Sequence, residues 1–437
     1  MNLTQGNIKK TLFKFAIPII IIQVLNQLYS LTDSIIVSRF AGGNEFAILS
    51  NISTLTMLGY CLVQGGAIAT NVIFANLFGS NNHKELASAK RTFNIIILIY
   101  GSLIALLYTV FAKQLLQLIN IPSILLNKAI SVLIIYALNF IPVGIIVVNQ
   151  GILNGYGDSK TPMRLSIIFQ FLNLILDYIV VAIFPYGVIG AALASLLSST
   201  LSAIAMYYKS SNLLKDYKQH AKFSKNWLNK AIKLAIPSTI SQSVASLGSF
   251  VLQIIVNNYG IQIINGYSVG CTLNNFILCP ILGLCTAYES FGGQNLGANK
   301  NDRVKQGFKL SLTYGLLFCL IASILSLSLN NLFVSLYIAD KTLESFTFAS
   351  KFFNVMCLNY FVLFIKSSFD SYYKAHQKMT LLAIISAITL TIRVVLSFSL
   401  TNTIGPIFLA WACVISNVVG IFIYLIFNKR LNNSNII

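Results

Sequence analysis

Two carboxylates, Asp33 and Asp177, stand inside long apolar runs, where few other charges occur. Asp33 lies in Gln27-Leu28-Tyr29-Ser30-Leu31-Thr32-Asp33-Ser34-Ile35-Ile36-Val37-Ser38-Arg39, in a run that opens at Leu12 and carries Pro18. Asp177 closes Asn173-Leu174-Ile175-Leu176-Asp177, whose four-residue spacing puts Asn173 and Asp177 on one helix face. Ser195 follows in the next run, after Gly190-Ala191-Ala192-Leu193-Ala194, whose small side chains allow close helix approach. Carboxylates, an amide oxygen and a hydroxyl form a hard oxygen set that suits Na+ or a proton shared between two acids. Burial and a like-charged neighbour both favour the protonated acid, so either group could change protonation near physiological pH. Ionisable groups at membrane depth are costly and mark functional sites. Asn26, Gln27 and Gln150 add amides that could line a cavity or bond between helices. Pro18 removes a helix hydrogen bond and permits a bend above Asp33.

The elements that must position these groups are membrane spans. The chain has 437 residues, 56% hydrophobic and 9% charged, with a mean hydropathy of +0.77. So few charges could not cover a water-soluble surface, so the fold class expected is an all-α polytopic membrane protein. Apolar runs of spanning length fall near 13–38, 48–75, 92–112, 126–149, 164–184 and 187–208. A second set falls near 231–258, 266–291, 308–329, 346–369, 379–400 and 405–427, giving twelve transmembrane helices in two groups of six. The net charge of +19 does not point to nucleic acid, because the lysines and arginines cluster between the runs. With both termini in the cytoplasm, most of them fall inside, while Arg39, Lys113, Lys128, Lys341 and Lys351 stay outside or at span ends and Arg393 lies within a span, an asymmetry of the kind the positive-inside rule describes. Lys9, Lys10 and Lys14 precede the first run, which is too long and lacks the small-residue site of a cleaved leader. Seven cysteines (Cys61, Cys271, Cys279, Cys285, Cys319, Cys357, Cys413) show no metal-ligand spacing and are expected to be free and buried. The three histidines fall in expected loops, so no zinc or haem site is readable, and no cofactor is expected.

The halves repeat. Lys14-Phe15-Ala16-Ile17-Pro18 recurs as Lys233-Leu234-Ala235-Ile236-Pro237, and a glycine-polar-basic loop from Gly79 to Arg91 recurs from Gly297 to Lys309. Asn154–Lys160 has a weaker echo in Asp370-Ser371-Tyr372-Tyr373-Lys374. The expected organisation is two six-helix lobes related by internal duplication, 1–208 and 231–437, joined by a basic cytoplasmic linker, 209–230. Parallel repeats of this kind occur in secondary transporters, with the substrate site between the halves. On this alignment Asp33 faces Leu252, and Asp177 faces Arg393, so both acids belong to the N-terminal half. That half is expected to hold the ion-coupling chemistry. Arg393 could be a counter-charge or could snorkel, and Glu289 reads as an acid at a helix end beside basic loops. Gly155-Tyr156-Gly157-Asp158 matches a GxGD protease pattern, but beside Lys160 and Pro162 a turn explains it better.

Together, the Gln27–Arg39 stretch, the Gly79 loop, Gly151–Asp158, Asn173–Asp177 with Gly190-Ala191-Ala192, and Gly293–Ala298 resemble the multidrug and toxic compound extrusion (MATE) family. The resemblance covers nearly the whole chain. It implies two six-helix lobes in a V shape and antiport of organic cations against H+ or Na+, not enzymatic catalysis. It places ion coupling on Asp33, Asn173, Asp177 and Ser195, with Na+ possible at Asp33, Asn173 and Asp177. The cavity amides would be Asn26 and Gln150, and the helix-bend residue Pro18. Ser195 stands where relatives often have threonine, and the C-terminal lobe lacks the family's second acidic group. The expected protein is a monomeric plasma-membrane exporter of small organic cations, bounded by lipid. A lipid-linked oligosaccharide flippase of the same superfamily is the alternative, with Arg393 its one hint. An intramembrane enzyme lacks a paired catalytic motif here, and a receptor or structural protein leaves the two buried acids unexplained.

Overall fold

The computed structural model describes residues 1–41, 43–119, 121, 123–184, 186–338 and 340–433, with the side chains of 30, 31, 33–35, 38, 43, 44, 46, 47, 50, 54, 66–68, 218, 245, 250 and 428–433 outside the description. Twelve long helices carry the chain, and the described residues include no strand. The first six are α1 (Ile8–Ile36), α2 (Gly43–Gly79), α3 (His83–Val110), α4 (Ser123–Gly155), α5 (Lys160–Asp177) and α6 (Gly187–Asn212). The second six are α7 (Lys225–Asn257), α8 (Ile261–Gly297), α9 (Asn301–Ser328), α10 (Glu344–Ala375), α11 (Met379–Ile404) and α12 (Phe408–Asn433). All twelve contain a stretch long and apolar enough to cross a membrane. A bilayer leaves no water for the backbone, so each span satisfies its own N–H and C=O groups as helix.

Several helices outrun their apolar runs. The loops expected at Gly79–Arg91 and Gly297–Lys309 shrink to turns, because α3 starts at His83 and α9 at Asn301. Lys90 is therefore a helix residue; it donates to Ser211 Oγ and lies 4.7 Å from the Tyr207 ring centre. The two turns are copies, with Asn81 and Asn299 at φ 55° and 57°. The connection between the halves is short, since α6 ends at Asn212 and α7 begins at Lys225. It is tied to α3 by Ser88 donating to Lys222 O (2.9 Å) and Trp227 Nε1 donating to Glu85 Oε2 (2.5 Å). All seven cysteines are free, but only Cys285, Cys319 and Cys357 are buried; the others are half-buried.

Two features join the halves. The first is α1, which starts within the core of the opposite half: Leu12, Phe15 and Ile19 pack with Tyr288 and Phe291 of α8. The second is a seam of α2 against α7 and α8. Cys61 Sγ lies 2.7 Å from Ser246 Oγ, and Ser290 Oγ donates to Asn71 Oδ1 at 2.8 Å. At the basic end the helices nearly touch. A Cβ at Gly79 would come within 1.9 Å of Gln294 O, and one at Gly297 within 1.9 Å of Asn76 O. Gln294 is fully buried there, accepting from Leu3 N (2.9 Å) and donating to Gly155 O (2.7 Å). Arg303 covers this end by donating to the carbonyls of Leu3, Gln5 and Gly6.

Candidate functional site

Asn173 and Asp177 lie on the inner face of α5, 3% and 1% exposed, as the four-residue spacing requires. Asn173 is oriented with its amide nitrogen toward Asp177 Oδ2 (2.8 Å) and the Tyr29 hydroxyl (2.9 Å). The reverse orientation would set the amide oxygen against a carboxylate. Asn173 Oδ1 accepts from Ser195 N at 3.2 Å. Tyr29 OH lies 3.1 Å from Ser195 Oγ. The cluster therefore joins α1, α5 and α6. It extends inward from Ser195, because Ser199 donates to Ser195 O (2.8 Å) and to Asn139 Oδ1 on α4. Asn139 Nδ2 donates in turn to Tyr60 OH on α2 at 3.2 Å.

Asp33 is on α1, one turn beyond Tyr29, and its side chain falls outside the description. Asn26 is not part of the cluster; it accepts from Gln170 Nε2 at 2.7 Å on an exposed face. Gln27 and Gln150 are half-buried, and neither hydrogen-bonds a described residue through its side chain. Pro18 lies inside α1, in the stretch that packs on the opposite half. Nothing in the sequence singles out Tyr29, Ser199, Asn139 or Tyr60. Tyrosine and serine recur throughout the spans, and only the packing of four helices selects these.

Both acids stand close to a change of helix type. The chain turns to π-helix at Val37–Ala41, after α1, and at Tyr178–Ile183, directly after Asp177. The matching helices α7 and α11 of the second half remain α-helical to their ends. A π turn widens the helix by one residue per hydrogen-bonded ring, and such turns concentrate at functional positions.

In the C-terminal half the charges are arranged differently. Glu289 is not an acid at a solvated helix end. It is 5% exposed and accepts from Lys374 Nζ at 2.9 Å and Ser371 Oγ at 3.4 Å. Its helix continues to Gly297, and Ser371 and Lys374 of α10 pack over its carboxylate. Asp370 accepts from Lys366 Nζ at 3.0 Å and from Tyr424 OH. The alignment of Asp177 with Arg393 is also revised. The turn before α5 has Gly157 N donating to Asn154 O and Asp158 N to Leu153 O. The turn before α11 has Gln377 N donating to Lys374 O and Lys378 N to Tyr373 O. Gly157 thus matches Gln377, a step of 220 residues, which pairs Asn173 with Arg393 and Asp177 with Ser397. The echo at Asp370–Lys374 is shifted likewise and lies within α10. The turn expected at Gly155–Asp158 is present, with Gly157 at φ 86°.

A duplicated bundle of twelve spans, with a buried carboxylate inside one half and the halves meeting along one seam, has the build of a secondary transporter. The MatE family model matches residues 18–179 and again 237–399. Its two matches start 219 residues apart, as the duplication requires. The chain belongs to the MatE family, a family of membrane transporters. It is 26% identical over 316 residues to the probable multidrug resistance protein YpnP of Bacillus subtilis (strain 168), covering 69% of this chain and 68% of that one. The probable multidrug resistance protein YoeA of the same organism is 23% identical over 360 residues, covering 78% and 77%. Among solved structures, the fold matches an outward-facing multidrug resistance MATE family transporter with a TM-score of 0.89 at 20% identity, over 99% of this chain and 97% of that one. It matches a MATE transporter in the straight conformation at 0.90 and 20%, over 99% and 98%.

Proposed function

We propose that this protein exports amphipathic organic cations across the plasma membrane, with both termini in the cytoplasm, in exchange for H+ or Na+. The observation that carries the proposal is Asp177, a nearly inaccessible carboxylate held by Asn173 beside Tyr29 of α1. A negative charge removed from water needs a proton or a cation to accompany it. Asp33 is the expected partner in that chemistry, with Ser195 supplying a further oxygen. The names of the relatives, probable multidrug resistance proteins, support a drug-like cargo.

The route from ion to cargo runs along α1. Its Tyr29 end touches the acidic cluster, and its first turns lie in the core of the other half. Neutralising Asp177 would change what Asn173 and Tyr29 bond to, shift α1, and thereby change the fit between the halves. The seam from Cys61 to Gly297 would then part while the opposite side closes, which is alternating access. A lipid-linked oligosaccharide cargo has less support, since the buried cluster that joins α1, α5 and α6 carries an acid and not a cation.

Proteoliposomes with a pH gradient or a Na+ gradient, imposed separately, test the proposal. Ethidium should move against its own gradient under one of the two, and Asp33→Asn should stop it. Uphill movement under neither gradient would sink the antiporter reading.

A further inference from the structure

Arg393 occupies in α11 the position that Asn173 occupies in α5, and its setting repeats that of the acidic cluster with the opposite sign. The exposed stripe of α11 is Ile384, Ile388, Val395 and Phe398. Arg393 is on the other side, in line with buried Thr389, Ser397 and Thr401. Its Nε donates to Ser416 Oγ on α12 at 3.2 Å, much as Asn173 meets Ser195 on α6. Neither of its terminal amino groups hydrogen-bonds a described residue. One turn away, Ser397 Oγ is buried without a partner.

This cation has no described carboxylate to answer it. Of the four acids in the long helices of this half, Asp302 and Glu344 stand exposed in first turns, and the other two are taken, Glu289 by Lys374 and Asp370 by Lys366. Nor is a helix end near, for α11 extends roughly 16–21 Å to either side of Arg393 at 1.5 Å per residue. An aspartate in such a place can become neutral by taking a proton. A guanidinium cannot, because it stays charged at any pH a protein meets. Arg393 is half-buried and so open to an incoming anion, and the free edge of its fork matches a carboxylate in two parallel hydrogen bonds.

We propose that Arg393, aided by Ser416 and Ser397, binds a carboxylate on the transported molecule, so that the cargo is amphoteric and not simply cationic. This rests on the exporter reading above and narrows it. The acidic cluster of one half and the arginine of the other would then receive opposite ends of one molecule.

Norfloxacin and its methyl ester differ only in the carboxylate and make a matched pair. Their binding to the full-length protein in phosphatidylcholine nanodiscs, followed by calorimetry, is the test. The wild type should bind the acid at least about tenfold more tightly than the ester, a difference of roughly 1.4 kcal/mol. Arg393→Gln should bind both with the ester's affinity, and Arg393→Lys should keep part of the preference. A wild type that shows no preference, or binds neither compound, overturns the assignment, as does a preference that survives in Arg393→Gln. Uphill transport is not part of the measurement, so a failure of the antiporter reading would appear separately, as binding without gradient-driven efflux.

Discussion

Asp177→Asn collapses the cargo gradient that the protein can sustain from about fortyfold to near unity, while the protein stays folded in the membrane. The size follows from the driving force. One-for-one exchange of a monovalent cargo cation for H+ or Na+ moves no net charge, so an imposed ion gradient of about fortyfold sustains a cargo gradient of the same size, at roughly 1.4 kcal/mol for each tenfold. Asparagine has nearly the shape of aspartate, and its oxygen can still accept from the Asn173 amide. It cannot hold a proton or balance a sodium ion. Steady-state accumulation in proteoliposomes reads the uphill step, and exchange at equal concentrations reads whether the carrier still cycles. An Asp177→Asn protein that concentrates ethidium like the wild type would remove Asp177 from the mechanism.

The second large effect is expected at Gly297. A valine there must displace Asn76 O, which lies 1.9 Å from where even its Cβ would sit. That obstacle is backbone on α2, and Gly79 meets Gln294 in the same way from the other side. Overpacking at such a contact costs about 1–3 kcal/mol, enough to shift the balance against the closed seam by roughly 5- to 150-fold. Gly297→Val should therefore depress export by at least about tenfold and speed hydrogen exchange in residues 290–298. Wild-type exchange protection in that segment would show that the seam does not carry the closure. Gly260, with nothing within 4 Å of its Cβ position but φ 84°, is a useful contrast, because substitution there strains only the turn.

Much of the scaffold could be read from the residues. Runs such as 379–400 and 405–427 are long and apolar enough to have one physical solution in a bilayer, and the recurrence of Lys14–Pro18 at Lys233–Pro237 exposes the duplication. Asn173 and Asp177 were placed on one face by spacing alone. What escaped has physical causes. The π turns after Ile36 and Asp177 leave no compositional mark. The register of α5 against α11 read from side-chain similarity differs by four residues from the one that the preceding turns define. The burial of Glu289 escapes the sequence because the residues that cover it, Ser371 and Lys374, lie on another helix 82 and 85 positions away. Tyr29 sat inside the quoted stretch around Asp33, yet only the approach of α1 to α6 gives its hydroxyl a partner 166 residues distant.

The Cys61–Ser246 contact gives the molecule a native chemical clock. The thiol is half-buried at the seam and keeps its contact with Ser246 for as long as the two halves stay together there. Its alkylation by a small membrane-permeant maleimide would therefore speed up whenever the seam opens. Cys285, Cys319 and Cys357 lie buried within one half, and a Cys61→Ser protein supplies the background from the half-buried remainder. The kinetics of alternation can thus be followed on the unlabelled, otherwise unaltered transporter, with the coupling ion added or withheld.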